Sequence, residues 1–148
     1  CFSIKFNYID MLNQYLTNIS MFKNNLYNIY FNLKGEGSTT LNQELTNDIE
    51  EINKFYIKLS LLIKKIGGFP ILNLDEVKKI SSIKEISSKD YTPSDAINII
   101  INDLKIINSM NNKVGEYALK NFNFKSINLI LEFNSYLEKR LYSLMNNY

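Results

Sequence analysis

Residues 41–66 read LNQELTNDIEEINKFYIKLSLLIKKI, and the spacing of their apolar side chains decides the fold. Leu41, Leu45, Ile49, Ile52, Tyr56, Leu59, Ile63 and Ile66 recur at steps of four and three, which puts them all on one face of a long helix. Gly67-Gly68-Phe69-Pro70 then stops it. The same punctuation governs the whole chain: its five glycines and two prolines fall only at 35–37, 67–70, 93 and 115, leaving long uninterrupted segments between.

Working outward, a first helix is predicted over about 7–34, with Leu12, Leu16, Ile19, Leu26 and Leu33 as its stripe and Gly35 at its end. A third starts at Thr92-Pro93-Ser94-Asp95, where Thr92 caps, Pro93 suits the first helical position and Asp95 answers the cap. Its stripe is Ile97, Ile100, Leu104, Ile107, Val114 and Tyr117, and a fourth helix runs from about Phe124 through Ile127, Leu131, Leu137, Leu141 and Leu144. Helices of this length span roughly 40 Å, so the join of about 25 residues between the second and third is a lengthwise crossover. A short helix at Leu74, Val77 and Ile80, capped by Asn73, gives that crossover structure of its own. The predicted fold is all-α: one ferritin-like four-helix bundle over residues 1–148, in up-down-down-up order.

Two helices carry more apolar side chains than a four-helix core uses. Ile57 and Leu61 form an extra i, i+4 pair on the second, and Tyr8, Tyr15 and Phe22 recur every seven residues on the first. A broad core is one reading of both sets. Contact between subunits is the preferred one, because long helices rarely bury every side within one small bundle.

Composition narrows the chemistry. Seventeen basic and fifteen acidic residues give a net charge of +2, with no like-charged block to imply nucleic acid or an acidic membrane. With no histidine and one cysteine, Cys1, there is no internal disulfide and no zinc site of the usual kind, so any metal must take oxygen ligands. No apolar run approaches the length of about 18 residues that a membrane span needs. The expected location is cytoplasmic; the alternative is a surface lipoprotein anchored through a lipidated Cys1, against a simple chain boundary there. The abundance of Asn, Ile, Lys and Tyr is read as codon supply, without function.

Several motifs in register resemble the Dps family, the mini-ferritins named as DNA-binding proteins from starved cells. Asn28-Ile29-Tyr30-Phe31-Asn32-Leu33-Lys34-Gly35 is similar to the family's N-x-H-W-N-V-x-G, and Ile66-Gly67-Gly68-Phe69-Pro70 to its L-G-G-x-P. Ile80-Ser81-Ser82-Ile83-Lys84-Glu85 resembles its crossover, and Leu137-Glu138-Lys139 with Tyr142 resembles the E-K-x-x-W of its last helix. The resemblance covers about residues 8–146 and implies a hollow homododecamer built from dimers.

It also implies a ferroxidase centre between two subunits, with two histidines from one and an aspartate and a glutamate from the other. Those ligands fall on Tyr30, Asn42, Ile57 and Leu61. Ile and Leu have no ligand atoms, an amide replaces imidazole poorly, and tyrosine binds ferric iron well only as phenolate. The expectation is therefore a degenerate site: no catalytic residue, no cofactor and no metal, with Ile57 and Leu61 refilling a former metal pocket as apolar contact. Acidic mineral-seeding positions would fall on Gln43, Thr46 and Asn47, and an acidic ion channel near Asn123 and Asn128 with Lys125 between.

An alternative keeps the metal. Glu44, Asp48 and Glu51 lie at i, i+4, i+7 and could hold a hard cation, although a solvated or cavity-facing polar stripe, with Lys54 and Lys58 near, is the simpler reading. Glu132, Glu138, Lys139 and Arg140 read as inter-subunit or surface ion pairs. DNA binding by many weakly basic copies is open, but the ends CFSIKFN and MNNY offer a single lysine. Two functions follow: a non-catalytic structural, protective or DNA-associated shell, or an iron-binding or iron-oxidising mini-ferritin that uses Tyr30 with Glu44, Asp48 or Glu51.

Overall fold

The computed structural model describes residues 2–148, with side chains from Asn7 onward; Cys1, and with it the lipid-anchor reading, lies outside the described residues. Five helices follow one another: α1 (Phe2–Asn32), α2 (Ser38–Ile66), α3 (Leu74–Ile80), α4 (Pro93–Lys120) and α5 (Phe124–Asn147). The capping chemistry is as the residue types dictate. Thr92 Oγ1 accepts from the Asp95 amide at 3.2 Å, and Asn73 Oδ1 from the Glu76 amide at 3.2 Å. The start of α2 was harder to read, because Gly37 precedes it in a left-handed conformation and supplies no side-chain cap.

The α1–α2 and α4–α5 pairs form two helical hairpins, joined where α1 meets α4 and α2 meets α5. The crossover runs back along α1, fastened by asparagines. Asn13 donates to the Phe69 carbonyl at 3.0 Å and accepts from the Ile71 amide at 2.9 Å. Asn18 Oδ1 accepts from the Ser82 amide at 2.7 Å and from the Ser81 hydroxyl at 3.0 Å. Asn25 Oδ1 accepts from the Ile86 amide at 3.1 Å, while its Nδ2 donates to the Lys84 carbonyl at 3.0 Å and to Asp103 at 3.1 Å. Asn28 donates to the Ile86 carbonyl at 3.3 Å, and backbone bonds join Tyr91 to Asn32 and Lys34. Ascending numbers on both sides make the segment parallel to α1, so α4 starts beside the end of α1 and the order is up-down-down-up. These asparagines, set aside as codon supply, give an irregular segment the partners its backbone needs.

Two apolar assignments need correction. Tyr8, Tyr15 and Phe22 are 3%, 0% and 1% exposed: they are core, not subunit contact. The reason is that α1 packs against α2, α3 and α4 together, so more than one stripe of it is covered. Leu131, assigned to the stripe of α5, is instead exposed; the buried row of that helix is Ile130, Phe133, Leu137, Arg140 and Leu144. On α2 a second buried row, Asp48, Phe55 and Leu62, meets it, and the Phe55 and Phe133 rings stack 3.8 Å apart. At the end of α2, Gly67 adopts φ 97°, and Gly68 lies so close to α1 that an added Cβ would stand 2.7 Å from Ile9 Cγ2.

Candidate functional site

The short turn between α1 and α2 brings Tyr30 and Asn42 together. Asn42 Nδ2 donates to the Tyr30 carbonyl at 2.7 Å, which ties the start of α2 to the end of α1. The half-buried Tyr30 ring packs edge-on to Phe31 at 5.1 Å. Ile57 and Leu61 are elsewhere: they stand on the outward face of α2, 57% and 52% exposed. Asn42 and Ile57 are about 22 Å apart along the helix, so the four positions can form one site only if two copies of the chain contribute.

The acidic set is divided rather than convergent. Asp48 is buried, and both its oxygens accept from Arg140 Nε, at 2.9 and 3.0 Å; Arg140 Nη2 lies 2.9 Å from Oδ2, and the Tyr136 hydroxyl donates to Oδ1 at 2.6 Å. Arg140 Nη1 also donates to Glu44 at 3.2 Å, and the Tyr148 hydroxyl donates to the same carboxylate. Glu51 pairs instead with Lys54 at 3.5 Å. Asp48 is thus no solvated residue, and Arg140 no surface or inter-subunit ion: together they form a buried pair between α2 and α5. Burial pushes the Asp48 carboxyl up from its ordinary value, while the Arg140 charge and the Tyr136 hydrogen bond pull it down. Burial alone would lower Arg140, but the Asp48 and Glu44 carboxylates hold it above its ordinary value. A guanidinium therefore sits where a cation bound by this face would have to sit. Among the described residues, no three acidic or cysteine side chains are grouped to hold a metal ion.

The remaining positions are dispersed. Gln43, Thr46 and Asn47 are exposed on α2. Asn123 caps α5 by accepting from the Ser126 amide at 3.3 Å, while Lys125 and Asn128 are exposed. Glu132 pairs with Lys58 at 3.1 Å, and Glu138 accepts from Asn134. One buried carboxylate escaped the sequence reading: Asp103 on α4, 8% exposed, with Asn25 as its hydrogen-bond partner and, among the described residues, no cation pairing it. Burial pushes it up to about 6 against the pull of that hydrogen bond. No periodicity announces it, since it sits one residue before Leu104 in an otherwise apolar stripe.

No protein-family model matches the sequence, and no curated protein matches it. Solved structures do. A Dps protein from Bacillus brevis is 21% identical over 97% of this chain and 95% of its own, with a TM-score of 0.89. The DPS protein from Vibrio cholerae O1, described as one of the ferritin-like diiron-carboxylate proteins, is 16% identical over 96% and 89%, with a TM-score of 0.91. Antigen TpF1 from Treponema pallidum is 14% identical over 96% and 91%, with a TM-score of 0.92. Four long helices with a short helix in the crossover between the second and third are, in this chain, the ferritin-like fold of the Dps proteins.

Proposed function

We propose that the chain assembles through the outward face of α2 into a Dps-like hollow shell, a dodecamer built from dimers. It serves as a structural, protective or DNA-associated assembly without ferroxidase chemistry. The observation that carries this reading is the pair Ile57 and Leu61, which have no ligand atoms and stand more than half exposed on an outward face of the single chain. At such an interface an unpaired carboxylate would cost several kcal/mol once no metal compensated it, so apolar side chains stabilise the contact. Asn42 agrees with this reading, since in place of an imidazole it offers only a neutral amide whose Nδ2 is spent on the Tyr30 carbonyl.

An iron site assembled from Tyr30 with Glu44, Asp48 or Glu51 would first have to displace Arg140 from two of those carboxylates. Aerobic addition of ferrous iron to the assembled protein is expected to give no protein-dependent acceleration of ferric formation. Rapid, saturable oxidation would overturn the non-catalytic reading. Light scattering tests the shell, which a species of 17.3 kDa would contradict.

A further inference from the structure

Two helices of the bundle end in the same backbone motif but with different residues at its critical position. At the end of α2 the Gly68 amide donates to the Ile63 carbonyl at 2.9 Å and the Gly67 amide to the Lys64 carbonyl at 3.0 Å; at the end of α4 the Asn123 amide donates to the Ala118 carbonyl at 2.8 Å and the Phe122 amide to the Leu119 carbonyl at 3.3 Å. The motif turns on one left-handed residue. Gly67 takes that conformation, at φ 97°, without steric penalty, whereas at α4 it falls to Phe122, at φ 52° the only non-glycine residue of positive φ among the described residues. Nor is the ring covered by the chain in return: Phe122 is 76% exposed, flanked by Leu119 at 60% and Phe124 at 71%. At about 150–250 Å² for a whole aromatic side chain, the two rings leave roughly 300 Å² of apolar surface in water. With Leu119 the patch reaches about 400 Å², as large as the largest apolar patch on many monomers, which is often a functional one.

We propose that the α4–α5 turn is the second contact of the shell, where three copies of the chain meet around an axis with their Leu119, Phe122 and Phe124 side chains packed together. The inference rests on the shell reading and extends it. The contact through Ile57 and Leu61 is two-fold and closes at two copies, so a hollow assembly needs a contact of another symmetry on another surface. The turn supplies one, at the end of the bundle rather than on the outward face of α2. Two-fold and three-fold contacts in combination close at twelve copies. Area favours a further copy of this chain over an unrelated protein, because about 400 Å² is half of the roughly 800 Å² per partner that holds a complex by itself. A patch of that size suffices where the copies are already joined in pairs and the contact recurs around a ring.

The test is native mass spectrometry with light scattering on the full chain and on Phe122→Gly combined with Phe124→Ser. Glycine suits the left-handed position and both side chains are exposed, so the variant should keep its helical circular dichroism. It should stop at two copies, a species of twice 17.3 kDa, where the native chain forms twelve. The native shell should persist at high salt, which strengthens apolar contacts and screens ionic ones. A double variant that still forms twelve copies overturns the proposal and leaves the shell reading intact. One that falls to single copies overturns it as well, by placing the turn in the two-fold contact, and a native shell lost at high salt does so by showing that charges hold the copies together. A native chain that itself stops at two copies would sink the shell reading, and the three-copy contact with it.

Discussion

Replacing Asp103 by asparagine should stabilise the protein at neutral pH. The residue is 8% exposed, its carboxyl group accepts from Asn25 at 3.1 Å, and among the described residues no cation pairs with it. Its value rises from an ordinary 3.8 to about 6 in the folded chain, which corresponds to about 3 kcal/mol. The native state therefore holds the proton more tightly than the unfolded chain between those limits. Stability contributed by the protonated carboxyl is full below about 4, falls as pH rises toward 6, and is gone above about 7, where both states are ionised. Asp103→Asn removes the ionisation but keeps an oxygen that can accept from Asn25. The variant should match the native protein near pH 4 and exceed it by up to about 3 kcal/mol above pH 7, with the rise confined to the interval between. Denaturant unfolding of both proteins at pH 4, 5, 6, 7 and 8 measures the difference directly. A difference that does not change with pH, or one that favours the native protein at pH 7, would refute the reasoning.

Breaking the buried pair with Arg140→Gln should cost about 3–5 kcal/mol in denaturant unfolding, by leaving Asp48 charged and without its partner. Most of that loss should return in the double variant Asp48→Asn with Arg140→Gln, and a double variant as unstable as the single one would refute the pairing. Asn18→Ala removes the acceptor of the Ser82 amide and should cost about 1–3 kcal/mol, with faster hydrogen exchange at Ser82 while the centre of α4 stays protected. Ile57→Glu with Leu61→Glu should leave the helical circular dichroism unchanged and shift light scattering toward smaller species. An unaltered assembly would place the subunit contact elsewhere.

The long helices were legible because each presents an apolar stripe to a single bundle core, and periodicity registers that directly. Thr92 and Asn73 were legible because their caps are local in sequence. What escaped was decided by tertiary partners. Tyr8, Tyr15 and Phe22 carry the same heptad spacing whether a neighbouring helix or a neighbouring subunit covers them, and only the position of α1 between three other helices distinguishes the two. The buried row of α5 was misread at Leu131 because its fourth member is Arg140, which an apolar count passes over. Glu44, Asp48 and Glu51 share a helix face, as their spacing requires, yet a residue almost a hundred positions later decides that two of them are neutralised from within. The four positions Tyr30, Asn42, Ile57 and Leu61 divide likewise: proximity through a tight turn unites the first two, while the outward exposure of the last two is a property of the folded chain alone.

The asparagines along α1 bear on the order in which the chain folds. Each hairpin closes through a short connection, whereas the amides of Asn13, Asn18 and Asn25 reach partners 56 to 64 positions away. Loop closure over such separations brings little reward until α1 is already helical and presents its amides in one line, so the crossover is expected to dock after the α1–α2 hairpin exists. Substitutions at those asparagines should then fall at low φ-values, speeding unfolding far more than they slow folding. The segment that links the two hairpins would on this view act as a latch, closing last and opening first, and the lifetime of the native bundle would be set by its amides as much as by its leucines.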